Sequence, residues 1–244
     1  MKTLIIIPSR LGATRLPGKP LLKINGLSII SHVVKKAEET NIGEVFVATE
    51  DQEILDDVKL NGGQAILTGN KHKTGTDRIF EATKKIGRHD VDLIINLQGD
   101  EPLMNIQDIK NLNNHMIRSK ARLGTLASII SDKNLYEDQN VVKVKTKESL
   151  DISKFPEAIN FMRRLKNNEE NIYHHLGIYC YQVETLKKFV FNNQSTNEIK
   201  NRLEQLRALD NNIKINVGLA KSSPIGVDTM EDYVAVKKLM EYKS

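Results

Sequence analysis

Residues 5–20 read IIIPSRLGATRLPGKP and join an apolar run to a cationic loop. Leu4 to Ile7 are apolar, Pro8 interrupts them, and Arg10, Arg15 and Lys19 follow with Gly12 and Gly18 among them. The pattern predicts a buried strand that empties into a loop, with regular structure resuming after Pro20. Such a loop suits a polyanion: backbone N–H groups approach phosphate oxygens where side chains are small, and Arg and Lys supply counter-charge. Two common phosphate loops are excluded. The Walker pattern G-x-x-x-x-G-K-[ST] fails because Gly12 and Gly18 stand one residue too far apart and Pro20 replaces the hydroxyl. The dinucleotide fingerprint G-x-G-x-x-G is missing. The competing reading is a surface loop with solvated charges.

Outward from this stretch, apolar runs alternate with helical patterns. EVFVATED (44–51), QAILTG (64–69) and VDLIINLQGDEP (91–102) read as further strands. SIISHVVKKAEE (28–39), with Ser28 as N-cap, QEILDDVKLNG (52–62), TDRIFEATKKIG (76–87) and NIQDIKNLNNHMIRS (105–119) read as helices. This rhythm predicts an α/β fold, a three-layer, doubly wound, mostly parallel sheet with helices on both faces. In such sheets ligands sit beyond the carboxyl ends of the strands, where the basic loop and the loops at Gly75 and Asp100 fall.

After about Arg122 the rhythm changes. LGTLASII (123–130), VVKVKT (141–146), HLGIYCYQ (175–182) and KINVGLA (214–220) read as strands, and DKNLYEDQ (132–139) as a polar connection. Residues 149–171 are less regular. VETLKKFVF (183–191) and DTMEDYVAVKKLMEY (228–242) are helical. EIKNRLEQLRALDN (198–211) reads as one amphipathic helix with Ile199, Leu203, Leu206 and Leu209 on one side. The expected organisation is one domain, 1–244, with a strand-rich insertion over about 123–190 that returns to the sheet.

The 244 residues suffice for one sizeable α/β domain. Hydrophobic residues make up 39% and charged residues 27%, an ordinary balance for a soluble protein. No apolar run approaches a membrane span, and the apolar start is too short for a signal peptide, so the expected compartment is the cytoplasm, with no membrane partner. A single cysteine, Cys180, excludes an internal disulfide and a cysteine metal cluster; its apolar neighbours predict a buried, inert thiol. The net charge of +5 is spread along the chain without aromatic interleaving or a nucleic-acid motif, so no nucleic acid is expected as partner.

Three further segments carry candidate chemistry. In TGTDRI (74–79) a glycine between two hydroxyl residues opens a helix; Thr74 or Thr76 serves as N-cap with Asp77 in the first turn, or the segment faces a flat polar base. In NLQGDEP (96–102) an apolar strand delivers Asp100 to the ligand edge, as a turn cap or as a hard oxygen ligand for Mg²⁺. In GVDTMED (226–232) the pattern D-T-x-E reads as a capping box with Asp228 as N-cap. HHLGIY (174–179) and RLEQLRAL (202–209) place His174, His175, Glu204 and Gln205 on amphipathic segments, where such residues are ordinarily structural. The adjacent histidines exclude the spaced pair of zinc enzymes.

R-x-x-x-T-R-L-P-G-K-P over Arg10–Pro20 resembles the opening of sugar nucleotidyltransferases, and the match is closest to the CMP-Kdo synthetase (3-deoxy-manno-octulosonate cytidylyltransferase) family. Q-G-D-E-P, V-D-T-x-E-D, H-L-G-I-Y and L-E-Q-L-R follow in family order, so the resemblance covers nearly the whole chain. It implies CMP transfer from CTP to a 2-keto-3-deoxy sugar acid for lipopolysaccharide biosynthesis, with Mg²⁺ as cofactor and a homodimer as assembly. It further implies catalytic roles for Arg15, Lys19, Asp100 and Asp228, the two aspartates as metal ligands. Pro8, Ser9, Arg10, Arg15, Lys19, Thr74, Gly75, Arg78, Gln98 and Asp100 would face the nucleotide, and Gln98, Arg163, His175 and Glu204 the sugar. One segment departs: where the family carries Y-F-S-R-x-x-I-P, this chain has Asn160-Phe161-Met162-Arg163 and no proline after it. A hydroxyl is lost at Met162, which keeps open another acceptor, such as 8-amino-Kdo, a sialic acid or a related nonulosonic acid. The non-enzymatic alternative is a nucleotide- or nucleic-acid-binding module on the same sheet.

Overall fold

Leu4, Ile5, Ile6 and Ile7 are each at most 1% exposed, so the first strand is buried on both faces. An unbroken apolar run is what a central parallel strand requires. The computed structural model describes residues 1–12, 15–132, 134–165 and 169–242. The chain divides into two compact units, Lys2–Ile109 with Pro224–Ser244, and Lys110–Ser223 with Met1.

The first unit holds β1 (Thr3–Ser9), the short hairpin β2 (Lys23–Ile24) and β3 (Leu27–Ser28), then α1 (Ile29–Glu38), β4 (Gly43–Thr49), α2 (Gln52–Leu60), β5 (Gln64–Leu67), α3 (Gly75–Ile86) and β6 (Leu93–Asn96). Its sheet order is β6-β1-β4-β5, all parallel, with Ile5 opposite both Val45 and Ile95. This is the mostly parallel architecture read from the alternating pattern. Ser28 caps α1 by accepting from the Ser31 amide, as expected, and also donates to Asp57 of α2. The chain leaves this unit along α4 (Ile106–Ser119), a helix that spans the boundary between the two. It returns to the unit for α9 (Met230–Glu241).

The second unit holds β7 (Leu123–Ser128), one turn of helix α5 (Asn134–Glu137), β8 (Lys143–Thr146), β9 (Ala158–Met162), β10 (Ile172–Gln182), α6 (Val183–Phe191), α7 (Thr196–Asn201), α8 (Leu206–Asp210) and β11 (Asn216–Leu219). β11 pairs with β7 in parallel, while β7–β10, β10–β8 and β8–β9 are antiparallel. Among the described residues of 149–171, irregular by pattern, one strand forms, β9. Cys180 is fully buried, and burial pushes its thiol far above the ordinary range, which keeps it protonated and inert.

Two local expectations are corrected. Residues 198–211 do not form one helix: Arg202 adopts a left-handed conformation (φ 52°) that ends α7, and α8 starts at Leu206. Leu203 and Leu206 turn inward, Ile199 is left exposed, and Glu204 and Gln205 sit in the turn between the helices. The last helix is capped one residue later than D-T-x-E suggested. Thr229 is the N-cap, and it forms a reciprocal capping box with Asp232. Asp228 is thereby released from capping duty.

Candidate active site

The basic loop is held from several sides. Gly18 takes a left-handed conformation (φ 71°), which any residue with a Cβ adopts only under strain, and its amide donates to the Leu11 carbonyl. A 3₁₀ turn, Lys19–Leu21, follows directly, so regular structure resumes at Lys19 rather than after Pro20. Asp51, just past the end of β4, accepts from the Leu11 amide at 2.7 Å. Leu16 is buried with Ile24, Ile29, Val227 and Val236. That apolar cluster ties the loop to the middle of α9 and to the segment carrying Asp228. Ala13 and Thr14 lie outside the described residues.

Asp228 reaches Asp100 through the backbone. The Val227 amide donates to the Asp100 carbonyl at 2.9 Å, which sets the two carboxylates side by side. The Lys19 ammonium lies between them, 2.6 Å from Asp100 and 2.9 Å from Asp228, and Arg15 adds a contact to Asp228 at 2.8 Å. Burial alone would lower the Lys19 pKa, but the two carboxylates outweigh it and hold the ammonium above its ordinary value. Glu101 shows the opposite balance. Burial, reinforced by the negative charges of Asp100 and Asp228 and offset by Lys19, raises its carboxyl to about 8. Its Oε2 is buried without a hydrogen-bond partner. Burial is the larger cause, so Glu101 is held protonated at neutral pH beside the Asp100 and Asp228 carboxylates.

Beside these charges the cleft continues past the end of β1 to the N-terminus of α3. Thr74 caps that helix by accepting from the Asp77 amide while Asp77 accepts in return. Gly75 sits in close approach: a Cβ there would stand 3.3 Å from Cγ of Pro8, tighter than an ordinary contact. Gly99 is similarly pressed, with 3.2 Å from its would-be Cβ to the Pro8 carbonyl. Arg78, almost fully buried, donates to Thr68 Oγ1 at 2.6 Å and to the Gly69 carbonyl, and pairs with Glu50. The resulting cleft, about 330 Å³, is lined by every residue expected to face the nucleotide: Pro8, Ser9, Arg10, Arg15, Lys19, Thr74, Gly75, Arg78, Gln98 and Asp100. Asp228 lines it as well.

Pattern reading missed some contributors. His72 and Lys73 line the same cleft. Glu81 fixes His72 and accepts from the Gly69 amide; these bonds and Lys85 outweigh its burial and bring its carboxyl down to about 2. The acidic end of EVFVATED was the available signal for Glu50 and Asp51. Their partners, far away in sequence, were not readable.

In the second unit His175 is 7% exposed, with Phe161 edge-on to its ring at 5.0 Å and Tyr179 at 5.4 Å. Burial, with a smaller contribution from His174, lowers its pKa to about 3, so the imidazole is neutral. Glu204 lies close enough to Tyr179 that its charge, after burial and Tyr181, helps raise the phenol. Arg163 spends its guanidinium on the carbonyls of Gln139, Asn201 and Arg202. A sugar carboxylate would have to compete with those bonds.

Residues 4–215 match the family described as Cytidylyltransferase. The chain is 42% identical over 251 residues to a 3-deoxy-manno-octulosonate cytidylyltransferase of Thermodesulfovibrio yellowstonii, covering 98% of each. It is 39% identical to the enzyme of that name from Afipia carboxidovorans, covering 98% of this chain and 96% of the relative. This chain belongs to the cytidylyltransferase family. A solved structure of CMP:2-keto-3-deoxy-manno-octonic acid synthetase complexed with CTP matches over 100% of both chains, with 35% identity and a TM-score of 0.89. Apo UDP-glucose pyrophosphorylase, at 15% identity and a TM-score of 0.74, shares the fold alone. The cytidylyltransferase fold is thus the α/β nucleotidyltransferase architecture read from the sequence.

Proposed function

We propose that this cytidylyltransferase transfers CMP from CTP to the anomeric hydroxyl of Kdo, releasing pyrophosphate, in lipopolysaccharide biosynthesis. The observation that carries the reading is the Lys19 ammonium between Asp100 and Asp228 at the edge of a cleft lined by Arg10, Arg15 and the start of α3. Cations there meet a triphosphate, and the amides of the first α3 turn add donors. In the reaction the anomeric oxygen bonds to the α-phosphorus as it loses its proton. The bond from the α-phosphorus to the bridging oxygen breaks, and pyrophosphate leaves with that electron pair. No covalent enzyme intermediate is needed, so the protein contributes alignment and charge stabilisation. Arg15 and Lys19 stabilise the departing pyrophosphate. Gln98, His175 and Glu204 orient the sugar, and Arg163 does so where a carboxylate displaces its carbonyl partners.

The reading includes Mg²⁺ as cofactor. Two carboxylates that converge on one cation, beside a third carboxyl with an orphaned oxygen, suit a hard divalent ion. Mg²⁺ commonly binds through one or two carboxylates and completes its shell with substrate phosphates and water. Asp100 and Asp228 would hold it, and it would supply Lewis-acid activation of the attacking oxygen and neutralisation of phosphate charge. The cytoplasm as compartment and a homodimer as assembly complete the proposal; among the described residues no helix is long and apolar enough to cross a membrane.

Pyrophosphate release from CTP and Mg²⁺, with Kdo and without it, tests the reaction: sugar-dependent release is expected. Asp100→Asn is expected to lower turnover by orders of magnitude with the fold intact, and near-normal turnover would defeat the metal assignment. Met162, in place of a hydroxyl, and the committed Arg163 favour a related sugar acid as the second reading. A side-by-side panel of Kdo, 8-amino-Kdo and sialic acid separates the two.

A further inference from the structure

Thr125 of β7 is fully buried, and its hydroxyl meets three groups of β10: the Ile178 carbonyl at 2.7 Å, the Leu176 carbonyl at 3.2 Å and Nε2 of His175 at 3.1 Å. The pairing register between the strands shifts between Leu176 and Tyr179, and this bulge is what brings two β10 carbonyls onto one hydroxyl. A hydroxyl has one proton to give. Carbonyl oxygens only accept, so the proton goes to the backbone, mainly to Ile178 at the shorter distance. The contact with His175 then needs Nε2 to donate, since otherwise two lone pairs would face each other. A neutral imidazole that is protonated at Nε2 presents Nδ1 as an acceptor. Nδ1 makes no hydrogen bond among the described residues.

We infer that Thr125 is a positioning residue that sets the His175 tautomer, with the proton on Nε2, so that Nδ1 accepts a hydroxyl of the sugar acid. The inference rests on the reading of His175 as a sugar contact. It assigns direction to that contact: the sugar donates and the protein accepts, so a substrate with an ether or a deoxy carbon at the recognised position is disfavoured. Phe161 and Tyr179 restrict rotation of the ring, and Thr125 selects between its protonation states. The low basicity of His175 agrees with this, because a charged ring would have no acceptor.

The test begins with the full chain labelled with ¹⁵N at histidine. Long-range ¹H–¹⁵N spectra at neutral pH are expected to show His175 protonated at Nε2 and unprotonated at Nδ1; the opposite tautomer or an imidazolium overturns the inference. Thr125→Val, close in shape but without the hydroxyl, is expected to raise KM for the sugar acid about tenfold, the scale of one hydrogen bond. KM for CTP should not move, and Thr125→Ser should restore the wild-type value. A loss shared equally by CTP and sugar, or failure of the serine variant to rescue, would make Thr125 merely structural. His175→Ala separates the two levels. If it leaves KM for the sugar unchanged, His175 is not a sugar contact; if it raises KM while the wild-type tautomer is the wrong one, only the role of Thr125 fails.

Discussion

Acid should expose the cost of keeping His175 neutral. In the unfolded chain its imidazole titrates near 6.5, whereas in the folded protein burial, with a smaller push from His174, holds it at about 3. A depressed folded value means that the stabilisation is fully present above pH 6.5 and is lost as pH falls toward 3. From pH 7 to pH 5 the unfolded histidine takes up its proton and the folded one does not. At about 1.4 kcal/mol per pH unit below 6.5, this one residue removes about 2 kcal/mol of stability over that interval. In a chain of this size that corresponds to a drop of about 4–8 °C in Tm. The perturbation is His175→Gln, which keeps a polar side chain but cannot titrate. Melting curves of both proteins at pH 7, 6 and 5, followed by circular dichroism, supply the measurement. Glutamine fits a ring-shaped site poorly and lowers the starting level, so the slope against pH is compared and not the level. The wild type should lose about 4–8 °C more than the variant across the interval. Parallel slopes would refute the argument and show that the folded histidine protonates as readily as the unfolded one.

Lys19→Met leaves Asp100 and Asp228 facing each other without their shared cation, and pyrophosphate release should fall at least about a hundredfold; a tenfold loss or less would remove Lys19 from the reaction. Arg207 and Glu198 form a buried two-pronged pair, at 2.6 and 2.8 Å, with the guanidinium over Phe189. Arg207→Met should cost about 3–5 kcal/mol in urea unfolding by stranding the carboxylate, and a cost below about 1 kcal/mol would contradict the burial. Gly124→Ala places a methyl 2.6 Å from Phe155 and 2.7 Å from Met116, so about 1–3 kcal/mol should be lost. Gly12→Ala, with open space around it, should stay within about 0.5 kcal/mol by the same denaturation assay.

Three strands of the first unit, β1, β4 and β6, were readable because their centres are buried on both faces and show as continuous apolar runs, LIII, VFVA and LIIN, each ended by a polar residue or proline. The helices between them announced themselves through Ser28 and Thr74, both N-caps in the structure. The break at Arg202 was not readable: a left-handed residue usually leaves a glycine or asparagine as its trace, and here an arginine takes the position. The cap at Thr229 was misplaced by one because Asp and Thr cap almost equally well and stand next to each other. In the site, the loop cations and Asp100 could be read from local pattern. The identity of the cation between the carboxylates could not, since Lys19, Asp100 and Asp228 are brought together by long-range contacts, the backbone bond at Val227 and the apolar cluster around Leu16. Thr125 gave no signal at all, because a threonine in a buried strand is ordinary until its hydroxyl partners are known.

The ammonium of Lys19 gives the carboxylate pair a resident counter-ion. Any divalent ion that arrives alone must compete with a lysine already seated at 2.6 and 2.9 Å, so solitary metal should bind feebly. A triphosphate changes the terms of that competition by offering the lysine another anionic partner and the ion additional oxygens. Loading of the cleft becomes an exchange of partners, and nucleotide and metal should each strengthen the other's hold.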